Sequence, residues 1–380
     1  MPLPAPDEDT LAHSRRVGAA IAAEISRAGG WISFARYMEM ALYAPGLGYY
    51  AAGAAKFGAA GDFVTAPEIS PLFGQCVAAQ VREVLAASRP AVLEFGAGTG
   101  KLAADVLNTL AGDCAEYLIL EPSPDLRQRQ AETLARLAPA HAAKVGWLDA
   151  LPGTFSGCML ANEVLDAMPV HLLHLSGAAV NERGVTLRDG AFAWQDRPAQ
   201  GELLRAARAL PLEHPGDYLT EINLAAPAWL AAIAQCLTQG AALLIDYGFP
   251  APEYYHPQRS RGTLMAHYRH HAHDDPFHLP GLNDLTAHVD FTAVADAAEE
   301  SGLALLGYTS QASFLIDCGI ADLLAQVSPE DSARYLPLTN QANRLLSPAE
   351  MGELFKVMLV GRGVEAPPLG FRSGDRSRRL

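Results

Sequence analysis

The chain has 380 residues, half of them hydrophobic and 18% charged, which excludes a disordered polyampholyte or a coiled coil and suffices for one large core with a lobe or for two domains. With 28 Lys and Arg against 42 Asp and Glu the formal charge is −14, so a phosphate-tracking surface and a nucleic-acid partner are not expected. Five cysteines, none closer than 38 residues to the next, fit neither a paired-cysteine zinc site nor a secreted disulfide framework; a reducing compartment and no metal are expected.

The opening MPLPAPDEDT carries acids where a signal or transit peptide carries bases. The longest uncharged run, 222–245, is broken by Asn223, Pro227, Gln235, Thr238, Gln239 and Gly240, so no membrane partner is expected and the protein reads as cytoplasmic. Residues 8–30 predict a helix from the four-residue spacing of Val17, Ile21 and Ile25, ended by Gly29 and Gly30. A helix-like WISFARYMEMAL follows and gives way at Pro45 and Gly46 to an aromatic loop. Ser70 and Pro71 then open a helix through Leu72, Phe73, Cys76, Val77 and Val81.

From Ala91 short apolar runs alternate with amphipathic helices. AVLEF, YLIL, KVGW, CMLA and AALLI predict five strands, with helices at 101–110 and 124–137 between them, and that alternation is a doubly wound α/β fold. Two insertions interrupt it: strand-and-turn sequence over about 170–200, and a His-, Pro- and Gly-rich run at 249–290, read as a lid, that holds seven of the twelve histidines. A helix at 291–302 and the strands ALLGYTSQASFLI and ELFKVMLVGR close the core. Residues 1–74 are thus read as a helical and loop segment covering a cofactor site, 75–365 as the main domain and 366–380 as a flexible tail.

The chemistry concentrates at AVLEFGAGTGKLAADVL. Glu94, Gly96, Gly98 and Gly100 fall on a strand-to-helix turn, where glycine lets a ligand approach the backbone and the helix N-terminus favours an anionic group. Glu121 ends the next strand 21 residues after Gly100, placed to accept hydrogen bonds from ribose hydroxyls. The glycines alternate as G-x-G-x-G rather than in the dinucleotide spacing G-x-G-x-x-G, which counts against an NAD-dependent oxidoreductase, the alternative from another enzyme class.

E-x-G-x-G-x-G resembles motif I of class I S-adenosylmethionine-dependent methyltransferases. FGAAGDFVTAPEISPLFG at 57–74, ANEVLDAMPV at 161–170, LLIDYG at 243–248 and the segment 261–291 narrow the resemblance to the MidA-like family, which includes the mitochondrial complex I assembly-factor arginine methyltransferase. The resemblance implies a Rossmann-like core that binds S-adenosylmethionine: Gly96, Gly98 and Gly100 hold its aminoacyl end, Glu121 its ribose and Asp149 its adenine, with Glu94, Asn162, Gly61 and Thr65 lining the site. It also implies a protein substrate methylated on arginine to symmetric dimethylarginine, with a link to respiratory-complex assembly. Nothing in the sequence sets the oligomeric state.

An arginine guanidinium stays protonated at neutral pH, so its methylation calls for carboxylates that fix it and localise its charge. Glu163, at the carboxyl end of the fourth strand, is the first candidate, with Asp166 next; the pair reads alternatively as first-turn acids of a helix. Glu68 is read either as a further carboxylate over the cofactor or as an acid at a helix start, and His288 either as a proton relay or as an anchor of the lid. A scaffold that binds S-adenosylmethionine without turnover is the second alternative.

Overall fold

The computed structural model describes residues 3–51, 65–212, 216–364 and 367–380. They fall into two units: the first draws on the described residues of Met1–Phe63, Asp166–Ala228 and Ala251–His288, the second on those of Val64–Leu165, Trp229–Pro250 and Val289–Leu380.

The second unit is built on the strands β1 (Ala91–Phe95), β2 (Glu116–Leu120), β3 (Val145–Leu148), β4 (Phe155–Asn162), β5 (Leu237–Phe249), β6 (Ala304–Ser310) and β7 (Phe355–Arg362). Their order is β3-β2-β1-β4-β5-β7-β6, parallel except for β7, which runs antiparallel to both β5 and β6. Val289–Asp290 adds a short parallel pairing at Gly248 and Phe249. All five residues of β1 are buried, as expected of a strand covered on both faces. The order reverses between β1 and β4, so the crevice at their carboxyl ends is the topological switch point where doubly wound sheets bind ligands.

Three helices frame that edge. α1 (Pro71–Ala86) starts at Ser70, whose hydroxyl accepts from Leu72 N; α2 (Lys101–Leu110) starts at Gly100; α3 (Pro124–Leu137) starts at Ser123, which accepts from Leu126 N. Both Ser-Pro pairs read from sequence are therefore helix starts. Phe73, Val77 and Val81 of α1 and Leu102, Val106 and Leu107 of α2 share one core with Val92 of β1 and Leu160 of β4.

The first unit has its own core. Helix Glu8–Arg27 buries Val17, Ile21 and Ile25, and helix Phe34–Tyr43 buries Phe34, Tyr37, Met38 and Leu42. They pack with Leu172 and Val185 of an antiparallel sheet and with Ala266 and Leu285 of the 249–290 region. The sheet runs Ile32–Ser33, Ala179–Arg188, His171–Ser176, Asp217–Ile222, with Ala191–Pro198 also paired to Ala179–Arg188. The strand-and-turn insertion is thus larger than the 170–200 span read from sequence. It joins the N-terminal helices and the His-rich region because each exposes one apolar face and none can bury it alone.

Other readings change. The 249–290 region is not without elements: Met265–Tyr268, His271–His273 and Asp284–Thr286 form a three-stranded sheet held by buried Ala266 and Leu285. The run ALLGYTSQASFLI is a strand only to Ser310; Ser310 then caps helix Gln311–Asp317 by accepting from Ser313 N. Helices Ile320–Ala325 and Ser332–Leu346 follow, in a stretch for which no element was read from sequence. The tail read as flexible docks instead: Phe371 is buried 5.8 Å from Phe314, and Gly370 N donates to Gln80 Oε1 at 2.8 Å. One buried aromatic outweighs a polar composition. The uncharged run at 222–245 splits between helix Ala225–Cys236 and β5.

Candidate active site

The loop from β1 to α2 is shaped by its glycines. Gly96, Gly98 and Gly100 have φ of 58°, 53° and 83°, the left-handed region in which a side chain is strained. A Cβ at Gly100 would lie 3.1 Å from Gln130 Cα, a tight contact that the neighbour would have to yield to; a Cβ at Gly98 would meet nothing within 4 Å among the described residues. The backbone at Gly98 is therefore open to a ligand. Thr99 Oγ1 donates to Glu68 Oε1 at 2.5 Å, which ties helix Ala66–Ile69 to the loop and places Glu68 beside it. Thr65 precedes that helix and makes no side-chain cap. Gly61 lies outside the described residues.

Glu94 is buried beneath the loop, where its Oε2 accepts from Tyr117 Oη of β2 at 2.8 Å. Burial raises its carboxyl to about 7, against the opposing effect of the Tyr117 hydrogen bond. Glu121, at the end of β2, is also buried; its Oε1 accepts from Ser123 N at 3.0 Å and its Oε2 from Gln130 Nε2 at 3.2 Å. Burial raises its pKa too, while the Ser123 and Gln130 hydrogen bonds oppose the rise. Asp149, after β3, is largely exposed and pairs with Arg127 at 2.5 Å; Arg127 also donates to Leu148 O at 2.9 Å.

The sequence reading missed Gln130. It is fully buried on α3 and bridges the site: Nε2 donates to Gly98 O at 3.1 Å as well as to Glu121, and Oε1 accepts from Trp147 Nε1 at 2.8 Å. A glutamine on the buried stripe of α3, alongside Leu126 and Leu134, was the available signal.

At the end of β4, Asn162 Nδ2 donates to Glu163 Oε1 at 3.0 Å, while Asn162 Oδ1 is buried with no hydrogen-bond partner among the described residues. Glu163 has φ of 53°, an uncommon and strained conformation for this residue type that persists only where the surroundings fix it. They do: Glu163 N donates to Ile245 O at 2.8 Å, and Leu165 N donates to Asp246 Oδ2 at 2.9 Å. Asp246 Oδ1 accepts from Tyr247 N at 2.9 Å, so this buried carboxylate fixes the turn that carries Glu163.

Asp166 and His288 belong to the first unit. Asp166 is buried and its carbonyl accepts from Ala287 N at 3.0 Å; His288 N donates to Thr263 Oγ1 at 3.0 Å. Thr263 is itself bound by Glu221, whose carboxylate accepts from Thr263 N, Thr263 Oγ1, Leu264 N and Tyr254 Oη. Of the lid histidines, His273 and His278 lie with ring centroids 5.5 Å apart, and among the described residues no group of three or more His, Cys, Asp or Glu is arranged to hold a metal.

The open backbone at Gly98, the buried carboxylate of Glu121 and the unpartnered oxygen of Asn162 fit a ligand that carries both hydroxyls and a cationic donor, as S-adenosylmethionine does. Residues 72–309 match the family model described as "Putative S-adenosyl-L-methionine-dependent methyltransferase". Over its full length the chain is similar to a crystal structure from Burkholderia thailandensis bound to S-adenosyl-homocysteine, with 51% identity, TM-score 0.96 and 100% of both chains covered. It is 32% identical to the Drosophila melanogaster "Protein arginine methyltransferase NDUFAF7 homolog, mitochondrial", with 90% of this chain and 84% of that protein covered. The Caenorhabditis elegans protein of the same name is 29% identical, with 87% and 83% covered. These names correct the cytoplasmic reading: the curated relatives are mitochondrial, and an acidic N-terminal stretch was too little to assign a compartment. The match over 72–309, the alternating glycines and the fold together establish that the chain belongs to the MidA-like family of class I S-adenosylmethionine-dependent methyltransferases.

Proposed function

We propose that the acceptor is an arginine side chain of a protein and that the product is symmetric dimethylarginine. The observation that carries this reading is Glu163: a carboxylate at the switch-point edge, in a left-handed conformation, with the backbone on both sides pinned by Ile245 O and Asp246. The names of the curated relatives support the acceptor class. S-adenosylmethionine supplies a methyl group on a sulfonium, whose transfer to nitrogen leaves a neutral thioether.

The chain's own groups have three tasks. Gly96, Gly98 and Gly100 present backbone to the cofactor, and Gln130 orients both Gly98 O and Glu121. Glu121 accepts the ribose hydroxyls, and Asp149, held by Arg127, faces the adenine end. Glu163 accepts the guanidinium N–H groups and concentrates their charge away from the attacking nitrogen, with Glu68 as a further carboxylate at the loop. Positioning of this kind supplies most of the rate in such transfers. The link to respiratory-complex assembly that the family resemblance implies is part of the same reading.

The test combines cofactor binding with transfer. Glu163→Gln keeps the shape of the side chain and is expected to bind S-adenosyl-homocysteine normally while losing methylarginine formation on proteins of a methylation-deficient extract by at least about a hundredfold, the loss of a charge-assisted contact to the reacting group. Normal transfer by the variant would remove Glu163 from the reaction. Label appearing on lysine, or on no protein, would overturn the arginine reading.

A further inference from the structure

The first unit holds an aromatic and acidic cluster that the cofactor chemistry does not use. Tyr43 and Tyr50 stack with ring centroids 5.5 Å apart and planes at 21°, and Tyr49 meets Tyr50 edge-on at 5.0 Å. Tyr50 Oη donates to Asp284 Oδ1 at 2.8 Å, and Tyr43 Oη donates to Ala167 O at 2.8 Å, next to the buried Asp166. Both phenols are held protonated, first by burial of their hydroxyl ends and then by the charges of Asp284 and Asp166, so both carboxylates act on this cluster.

Yet Tyr43 is 39% exposed, one of the few large hydrophobic side chains left open. It lines a cavity of about 570 Å³ with Ser33, Arg36, Glu39, Pro169 and His171. The charges there do not repel a cation. Arg36 is held by Glu39 at 2.7 Å and by Glu24 at 3.0 Å, a carboxylate that also pairs with Arg27 at 2.9 Å, and His171 faces Glu182 at 2.6 Å, so each cationic group there already has a carboxylate partner. A tethered aromatic ring, backed by a second ring and two buried carboxylates and opening on a cavity whose cationic groups are already paired with carboxylates, suits a flat, weakly hydrated cation.

We infer that Tyr43, stacked on Tyr50 and backed by Asp284 and Asp166, is a subsite for a guanidinium-bearing side chain of the acceptor protein. The inference rests on the arginine reading above and deepens it: this wall selects arginine over a neutral side chain of the same shape. Tyr43 supplies the ring face, its hydroxyl bond to Ala167 O fixes the ring, and Asp284 fixes the ring behind it and contributes negative potential.

The probes are acetyl-Gly-Gly-Arg-Gly-Gly-amide and its citrulline counterpart, titrated calorimetrically into the full chain saturated with S-adenosyl-homocysteine. The arginine peptide is expected to bind about tenfold or more tighter than the citrulline peptide. Tyr43→Leu should lose about tenfold for arginine and little for citrulline, and Tyr43→Phe, which keeps the ring, should recover most of that loss. Asp284→Asn should reduce arginine binding with unchanged cofactor affinity, which controls for folding. Equal binding of the two peptides, or a Tyr43→Leu variant that discriminates as well as the parent, would overturn the subsite while leaving the arginine reading to the transfer assay. Discrimination by the parent with no transfer to any arginine would sustain the subsite and sink the reading on which it rests.

Discussion

Replacing Glu94 by glutamine isolates the cost of placing a carboxyl under the glycine loop. In the folded chain burial raises this group to about 7 from an ordinary value of 4.5. Below pH 4.5 both states are protonated and the difference costs nothing. As pH rises from 4.5 to 7 the unfolded chain ionises while the folded chain does not, so stability falls; above 7 the loss is complete. The difference of roughly 2.5 units, at about 1.4 kcal/mol each, makes that loss on the order of 3 kcal/mol. Glutamine cannot ionise, still accepts from Tyr117 Oη, and removes the pH dependence. The assay is urea unfolding of parent and Glu94→Gln at pH 5 and pH 8. The parent should lose on the order of 3 kcal/mol more than the variant between the two, which for a unit of this size corresponds to roughly 6 to 12 °C in melting temperature. Parallel losses in the two proteins would refute the reasoning, because they would mean that Glu94 ionises in the folded state as readily as in the unfolded one.

Two further substitutions probe the cofactor side. Gly98→Val puts a branched side chain at φ 53°, where no atom of the described residues stands within 4 Å of the added Cβ. It should therefore cost only about 1 to 2 kcal/mol of stability yet weaken S-adenosyl-homocysteine binding by about a hundredfold or more; unchanged affinity in calorimetry would mean that no ligand approaches the loop there. Gln130→Ala strips a buried bridge from Gly98 O, Glu121 and Trp147 Nε1. Leaving those groups without their partner should lower stability by about 1 to 3 kcal/mol and weaken the same ligand, and a variant unaltered in both would show that Gln130 does not organise the site.

Much of the second unit was legible because its signals are local. AVLEF, CMLA and AALLI are apolar runs too short for helices, Ser70-Pro71 and Ser123-Pro124 are helix starts, and the alternating glycines before Lys101 mark a strand-to-helix turn. The positions of Glu121 and Glu163 at the ends of their strands were legible too, and the carboxyl edge of a doubly wound sheet is where ligands bind, which made both candidates. Gln130 and Tyr117 were invisible as site residues because their roles come from partners distant in sequence, Gly98 and Trp147 for the first and Glu94 for the second; Asp246 was legible as a strand-end acid, but its bond to Leu165 N was not.

The sequence by itself determined the doubly wound core and, through the resemblance of E-x-G-x-G-x-G to motif I of class I methyltransferases, the cofactor class, because strand runs, helix caps and a glycine motif are each written within a few residues. Only the tertiary structure decided that the N-terminal helices, the strand-and-turn insertion and the His-rich region form one unit, that the tail docks through Phe371, and that Tyr43 and Tyr50 stack beside Asp284. Each of these depends on apolar faces finding one another across long stretches of chain. Periodicity marks such a face as buried and is silent about what buries it.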